Sequence, residues 1–293
     1  MTHILNPNDA REERTVTADD GEPLWTERSR ASSGSATAVV VCHGGPGQGD
    51  DLDALRDLLY PDRTVVRWDQ RGSGRSTAQG PFTLARSIAD LDTIISAWSL
   101  ERPWLLGHSW GATLALLYAL EHPERIAGIV YLCGTGLAWW PNHSAQHKRN
   151  QRARLGPVRG ARLDLLRHQV RRPAEEAEYR LLYLQSDLHD THDLRAHTLY
   201  TQAQHLNPNP EVNAALNAEV KALNPEQLAA RCRQLQRSVW IGHGASDPRP
   251  YAATDTLLNA LPNAHRTLFP DAGHRPWLER PDRVRQWILT VVC

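Results

Sequence analysis

The 293-residue sequence has few lysines, no excess of either charge and no long apolar run. Lys148 and Lys221 are the two lysines, and Lys plus Arg equal Asp plus Glu at 33 each. This balance favours neither nucleic acid nor an anionic membrane as a partner. The apolar runs 38–42 and 126–133 are far shorter than the roughly 20 residues that a membrane-spanning helix needs. We therefore expect no nucleic-acid or membrane partner, and the oligomeric state stays open.

Cysteine is also scarce, and the four cysteines are widely spaced: Cys42, Cys133, Cys232 and Cys293. No CxxC pair is present, so a redox motif or a cysteine-rich zinc site is not indicated. The segment 1–21 is polar and lacks the apolar stretch of a signal peptide. These features predict reduced thiols and a cytoplasmic location.

The rest of the sequence divides into three parts. In residues 1–135 short apolar runs alternate with helix-period segments, which predicts a mostly parallel sheet with helices on both faces. Residues 136–236 lack clear strands and are rich in polar helical segments and Asn-Pro pairs. The strand-helix alternation returns in residues 237–293. We predict an α/β core in two parts with an inserted helical cap.

A serine flanked by glycines occurs in Gly107-His108-Ser109-Trp110-Gly111, between a strand-like run and a helix-like segment. Glycines permit a sharp strand-to-helix turn where a Cβ would clash. Such a turn exposes the serine oxygen at a helix start, whose free N–H groups stabilise a developing negative charge. We predict Ser109 as a nucleophile and the Trp110 amide as an oxyanion donor. The alternative is a buried serine that caps the helix.

Two loops later in the chain contain the partners that a serine nucleophile needs. Asp247 follows the strand-like run 238–241, and His274 follows the run 265–269. A serine hydroxyl reacts poorly without an adjacent base. Where the serine lies at a strand-turn-helix site, the acid comes later in the chain and the histidine comes after the acid. We predict His274 as the general base for Ser109 and Asp247 as the acid that orients it.

A second oxyanion donor is expected from the glycines that follow the first buried strand, in His43-Gly44-Gly45. In a parallel sheet this loop lies beside the serine turn, and glycine leaves its amide open to a ligand. We favour the amide of Gly45, with Gly44 as the alternative.

Other polar residues near these loops have simpler interpretations. Asp271 lies three residues before His274 and is expected to shape that loop. Asp69 and Arg71 are expected to form a structural ion pair. His43 and His108 are expected to be hydrogen-bonded loop histidines.

Three glycine-containing segments stand out in this sequence: residues 43–47 (HGGPG), 68–76 (WDQRGSGRS) and 107–115 (GHSWGATLA). Together they resemble the proline iminopeptidase (prolyl aminopeptidase) family. The loops 244–249 (GASDPR) and 272–274 (AGH) are similar to the acid and base loops of that family. The resemblance implies an α/β-hydrolase fold and release of an N-terminal residue from small peptides or amides through an acyl-enzyme. It also implies that carboxylates of the cap bind the free amine of the substrate.

The cap lacks the Glu-Asn-His-Tyr-type segment that this family commonly carries. Candidates for binding an amine are therefore Asp187, Asp190, Asp193, Glu211 and Glu219. Trp139 and Trp140 open the cap and could line a pocket or serve packing. The acidic run 175–178 is expected to be a solvated helix start.

No cofactor is expected, because the sequence has no dinucleotide-binding fingerprint and no convincing set of metal ligands. The histidines in the cap stand among mixed polar residues and indicate a solvated face; they are His189, His192, His197 and His205. Two alternative functions stay open for the site. One is hydrolysis of an ester, lactone or amide of small-molecule metabolism, or acyl transfer. The other is binding of a ligand without catalysis.

Overall fold

The computed structural model describes residues 11–32, 37–137, 141–195, 198 and 209–292. In these residues eight strands form one sheet in the order β1-β2-β4-β3-β5-β6-β7-β8. Strands β1, β2 and β4 pair antiparallel, and every pair from β4 to β8 is parallel. The strands are β1 (Arg11–Thr17), β2 (Pro23–Ser29), β3 (Ala38–Cys42), β4 (Thr64–Trp68), β5 (Trp104–His108), β6 (Gly128–Leu132), β7 (Ser238–Gly244) and β8 (Ala264–Phe269).

Helices follow most of the strands. They are α1 (Asp53–Leu59), α2 (Leu84–Ala97), α3 (Trp110–Glu121), α4 (Pro141–Arg167), α5 (Pro173–Asp187), α6 (Pro210–Ala222), α7 (Pro225–Cys232), α8 (Asp255–Ala260), α9 (Pro276–Glu279) and α10 (Pro281–Val291). Helix α4 is interrupted at Gly156, where φ is 77°.

The central strands are buried on both faces. Every residue of β3, β5 and β6 is buried, as expected when helices cover a parallel sheet on both sides. Val40 packs into one apolar cluster with residues of α2 and α3. Its neighbours Val39 and Val41 pack into a second cluster with residues of α1 and α10. The predicted sheet with helices on both faces is therefore confirmed.

The segment between β6 and β7 contains helices α4 to α7 in its described residues. Two of its Asn-Pro pairs begin helices. The side chain of Asn209 accepts hydrogen bonds from the backbone at the start of α6, and Asn224 does the same for α7. Proline at the first helical position suits such a start, because its missing N–H has no acceptor there in any case. The pair at 207–208 lies outside the described residues.

Three cysteines lie in the described residues, and all three are unpaired and buried: Cys42, Cys133 and Cys232. Cys42 ends β3, and Cys133 follows β6, so both act as small core residues. Cys293 lies outside the described residues. Within the described ranges, each helix is too short or too polar to cross a lipid bilayer.

Candidate active site

The predicted triad residues all follow strands at one edge of the sheet. Ser109 follows β5, Asp247 follows β7 and His274 follows β8. Because these strands are parallel, their carboxyl ends meet at the same edge, where sites of open α/β sheets form. Ser109 and His274 line one cavity there.

The turn at Ser109 has a strained backbone that its neighbouring glycines permit. Ser109 has φ 55° and ψ −115°, in a region that residues with a side chain rarely adopt. A Cβ on Gly107 would lie 2.2 Å from the carbonyl oxygen of Gly111, and one on Gly111 would lie 2.0 Å from that of Cys42. The serine amide donates to the carbonyl of Leu132 at 2.9 Å. Both glycines are therefore needed for this turn, as the sequence predicts.

Histidine 274 is held by Asp247 in the state that a general base requires. Its Nδ1 lies 2.6 Å from Oδ2 of the Asp247 carboxylate, so Nδ1 carries the proton and Nε2 is free to accept one. The other carboxylate oxygen accepts from the backbone N–H of Arg249 at 2.8 Å. Burial and the positive charge of Arg249 lower the pKa of His274 well below 6.5. The imidazole is therefore neutral at pH 7.

His108 supports the backbone of the predicted base. Its Nε2 donates to the carbonyl of His274 at 3.0 Å, and the two rings lie 4.6 Å apart. Trp277 packs against the His108 ring with the two ring planes nearly perpendicular. Burial lowers the pKa of His108 well below 6.5. His108 is therefore hydrogen-bonded as expected, but it is the last residue of β5 and does not lie in a loop.

The glycine loop after β3 lies against the serine turn. A Cβ on Gly44 would lie 3.2 Å from Cβ of Ser109, and Gly45 has a φ of 51° that glycine adopts readily. Gly44 and Gly45 both line the cavity with Ser109. Trp110 is the first residue of α3, where the backbone N–H has no acceptor inside the helix. The two segments that contain the predicted oxyanion donors thus both adjoin the serine.

The cavity has a volume of about 450 Å³. Its described acidic residues are each paired with an arginine that also lines it: Asp187 with Arg249 (2.9 Å), Asp51 with Arg275 (2.5 Å) and Glu176 with Arg180 (2.9 Å). Much of the remaining wall is formed by Tyr179, Tyr183, Leu184, Gln48 and Asn213. The charges in the cavity wall are therefore closely balanced.

Among the five predicted cap acids, Asp187 alone lines this cavity in the described residues. Glu219 does not: its Oε2 accepts from the backbone N–H of Leu84 at 2.6 Å, at the start of α2. The structure therefore places the Glu219 carboxylate at a helix end and not in the cavity wall. Asp190 and Asp193 accept from backbone N–H groups two residues further on. Glu211 lies in the first turn of α6.

Two other expectations for the cap concern Glu176 and the tryptophan pair 139–140. Glu176 was expected on a solvated helix start, but its carboxylate pairs with Arg171 and Arg180 and lines the cavity. Trp139 and Trp140 lie outside the described residues.

The end of α5 contacts both loops of the predicted triad. The backbone carbonyl of Asp187 accepts from the N–H of His274 at 2.7 Å. Its side chain pairs with Arg249 in the acid loop, and Arg249 also donates to the hydroxyl of Tyr183 at 3.0 Å. Although burial alone would lower the pKa of Arg249, the charge of Asp187 raises it. The cap and the triad loops are thereby linked by buried polar contacts.

A buried carboxylate that the sequence did not indicate strengthens this link. Glu279 accepts from the backbone N–H of Gly273, in the base loop, and from that of His189, just after α5, both at 2.6 Å. Burial raises the pKa of Glu279. The residues lie far apart in the sequence, so no local pattern could reveal the contact.

The prediction of an ion pair between Asp69 and Arg71 is wrong. Arg71 instead pairs with Asp90 at 2.8 Å, and Asp69 pairs with Arg75 at 2.7 Å. The side chain of Asp69 turns back onto its own loop, where it also accepts from the backbone N–H of Arg75. Asp271 is exposed and has a φ of 52°, as suits a residue that shapes a loop.

In the described residues, one group of possible metal ligands consists of Cys133, His243 and Asp247. Their ligand atoms lie within 4.8 Å of one another. Asp247 is already bound to His274, and Nε2 of His243 lies 3.1 Å from the carbonyl of Arg249. A metal there would take the carboxylate away from His274. The cap histidines have other partners: His189 contacts Ser246, and His192 contacts Arg159. His197 and His205 lie outside the described residues.

Comparison with known proteins agrees with this architecture. The family profile of the alpha/beta hydrolase fold matches residues 37–281. The chain belongs to the α/β-hydrolase fold family. Among solved structures of this family, it is similar to proline iminopeptidase of Mycobacterium smegmatis, with a TM-score of 0.72, 18% identity and coverage of 96% of this chain and 97% of that one. An esterase of Exiguobacterium antarcticum gives a TM-score of 0.74, 14% identity and coverage of 96% and 99%. At these identities the likeness shows the fold alone.

Curated relatives match part of this α/β-hydrolase more closely in sequence. A proline iminopeptidase of Xylella fastidiosa (strain 9a5c) is 37% identical over 138 residues, which is 44% of this chain and 43% of the relative. One from Heyndrickxia coagulans is 36% identical over 102 residues, 34% of this chain and 35% of the relative. The matched region thus spans less than half of the length of these relatives.

Proposed function

We propose that this chain is a serine hydrolase that releases an N-terminal residue from small peptides or amides. One observation carries the proposal of serine hydrolysis. Ser109, at a strained turn, shares a cavity with His274, whose Nδ1 lies 2.6 Å from the carboxylate of Asp247. This is the arrangement by which a neutral imidazole activates a serine hydroxyl.

In the proposed mechanism, Oγ of Ser109 attacks the substrate carbonyl while Nε2 of His274 accepts the serine proton. Asp247 stabilises the resulting imidazolium, and the amides of Gly45 and Trp110 stabilise the oxyanion. His274 then gives its proton to the leaving amine, and an acyl-enzyme remains. Water attacks the acyl group by the same route, with His274 as base. A base of this kind contributes about 10²–10⁴-fold in rate.

Two observations support a substrate with a free N-terminal amine. The curated relatives described above are named proline iminopeptidases. Asp187 also brings a cap carboxylate into the cavity beside the base, since its own backbone carbonyl accepts from the N–H of His274. One oxygen of that carboxylate faces Arg249, and a carboxylate can accept further hydrogen bonds from an ammonium group. We therefore assign the substrate amine to Asp187.

The charge balance of the cavity favours a second candidate substrate. Each described acid that lines the cavity is paired with an arginine, so an incoming ammonium group meets little net negative charge. A neutral ester, lactone or amide needs no such charge. Hydrolysis of these compounds, or transfer of their acyl group, uses the same proposed triad.

A substrate panel separates the two candidates. It contains proline and alanine anilides with free amines, the same anilides with blocked amines, and a short-chain ester. We expect the free-amine anilides to be hydrolysed with the highest kcat/KM. A preference for the ester and for blocked anilides would contradict the aminopeptidase assignment and leave the serine mechanism in place.

The assignment of Asp187 has its own test. Asp187→Asn keeps the side-chain shape and removes the charge, so we expect KM for free-amine anilides to rise about tenfold relative to its effect on the ester. Glu176→Gln is the matched control, because it removes another acid of the cavity wall. Equal effects of Asp187→Asn on both substrates would contradict amine binding at this residue.

We also propose a cytoplasmic location. The described cysteines Cys42, Cys133 and Cys232 are unpaired, which suits a reducing compartment. Fractionation of cells that express the tagged full chain tests this. Enzyme recovered mainly outside the cytoplasm would contradict it.

A further inference from the structure

A buried glutamine, Gln70, lies between the two segments that contain the candidate oxyanion donors. It follows β4, is 5% exposed, and hydrogen-bonds both to the glycine loop and to the first residue of α3. We propose that Gln70 is a positioning residue that sets the directions of both oxyanion amides. The inference rests on the proposed function, because it assumes that these amides stabilise an oxyanion.

Gln70 first fixes His43 at the start of the glycine loop. Its backbone N–H donates to Nε2 of His43 at 2.9 Å, and its side-chain Nε2 donates to the His43 carbonyl at the same distance. Because Nε2 of His43 accepts a hydrogen bond from Gln70, it is unprotonated, and the ring proton is on Nδ1. That Nδ1 lies 3.0 Å from the carbonyl oxygen of Gly44 and therefore donates to it.

The bond to Gly44 also orients the next amide. The carbonyl of Gly44 and the N–H of Gly45 belong to one peptide group, and this peptide bond is trans. In a planar trans peptide the two groups point in opposite directions. Holding the Gly44 carbonyl toward His43 therefore directs the Gly45 N–H away from His43. The orientation of the favoured oxyanion donor thus depends on His43, whose ring accepts from the backbone N–H of Gln70 and whose carbonyl accepts from the Gln70 side chain.

Gln70 fixes the second donor through a tryptophan side chain. Nε1 of Trp110 donates to Oε1 of Gln70 at 2.9 Å, and the Trp110 ring packs with Val212, Leu216 and Val220 of α6. The backbone N–H of the same residue is the other candidate donor. Oxyanion stabilisation requires donors about 2.7–3.1 Å from the developing charge, so both amides must keep their positions. A primary amide suits this place because it donates to one segment and accepts from the other.

A double-mutant cycle tests the proposal on the best substrate of the panel. Gln70→Met removes both side-chain hydrogen bonds at similar size, and Trp110→Phe removes the indole N–H together with one ring of the indole, while an aromatic ring remains against α6. We expect kcat to fall about 10–100-fold for Gln70→Met, because the donors are displaced but not removed. We expect kcat of the double variant to lie no more than about threefold below that of Gln70→Met, because both substitutions remove the hydrogen bond between Trp110 and Gln70. KM is expected to stay within about threefold throughout, as for an interaction made mainly in the transition state.

A second readout distinguishes positioning from general loss of structure. A boronic acid that forms a tetrahedral adduct on the serine should lose affinity by the same factor as kcat, whereas the hydrolysis product should not. Gln151→Met is the matched control: Gln151 is a fully buried glutamine that bonds Ser186 and Arg167 in the cap. We expect this variant to be destabilised with kcat within about twofold of wild type.

The proposal is overturned if Gln70→Met and Trp110→Phe both keep kcat and boronic acid affinity within about twofold of wild type. If Gln70→Met does not fold, Trp110→Phe alone decides. A wild-type chain with no activity on the panel, or an active Ser109→Ala variant, would refute the proposed function instead. The two failures are therefore distinguishable.

Discussion

Replacing Asp247 with asparagine removes one negative charge beside His274 and preserves the shape of the side chain. In the proposed transition state His274 is an imidazolium, whose Nδ1 lies 2.6 Å from the carboxylate. With an effective dielectric constant of about 20, this attraction is about 6 kcal/mol, or roughly 10⁴-fold in rate. The amide group would also favour the wrong tautomer of the imidazole. We therefore expect kcat to fall about 10⁴-fold.

The assay is steady-state hydrolysis of the best panel substrate, with thermal unfolding measured in parallel to verify that the variant folds. Asp271→Asn is the matched control, because Asp271 lies in the base loop, is exposed and pairs with Arg280 at 3.4 Å. It should retain kcat within about twofold. Activity of a folded Asp247→Asn variant within tenfold of wild type would refute the assigned role of the carboxylate.

Three further predictions concern pH and stability. Because burial and Arg249 lower the pKa of His274 well below 6.5, kcat/KM for an ester should stay constant from about pH 8 to about pH 6.5 and fall only at lower pH. Arg249→Met should move that fall toward neutral pH, and an unmoved profile would count against the electrostatic argument. Glu279→Ala leaves the buried backbone N–H of Gly273 and the partly buried N–H of His189 without their acceptor and should lower the free energy of unfolding by about 1–3 kcal/mol, whereas an unchanged urea midpoint would contradict this. Gly111→Ala would place a Cβ 2.0 Å from the carbonyl of Cys42, so we expect little folded protein, and a normal melting temperature would disprove that packing.

The sequence predicted the sheet and the turn at Ser109 because their causes are local. Continuous apolar runs indicate strands that are buried on both faces, and glycines indicate a sharp turn. The loops of Asp247 and His274 could be placed at the same edge because parallel strands bring their carboxyl ends together. Local pattern and topology were therefore enough to nominate the serine, the acid and the base.

The partners of buried charges could not be predicted in this way. Arg71 pairs with Asp90 on α2 instead of the nearby Asp69, and Glu219 serves the start of α2 instead of the cavity. Such pairings depend on how helices distant in sequence pack against each other. Gln70 stood inside a recognised motif, but its bonds to both oxyanion segments emerge only when β3, β4 and α3 are placed side by side.

The most direct test of the account is to identify the residue that acts as the nucleophile. The wild-type chain is treated with a fluorophosphonate, which reacts with activated serines, and the modified peptide is located by mass spectrometry. We predict a single label on Ser109, together with loss of labelling and turnover in Ser109→Ala. A label on another residue, or turnover that survives in Ser109→Ala, would contradict the assignment of the nucleophile.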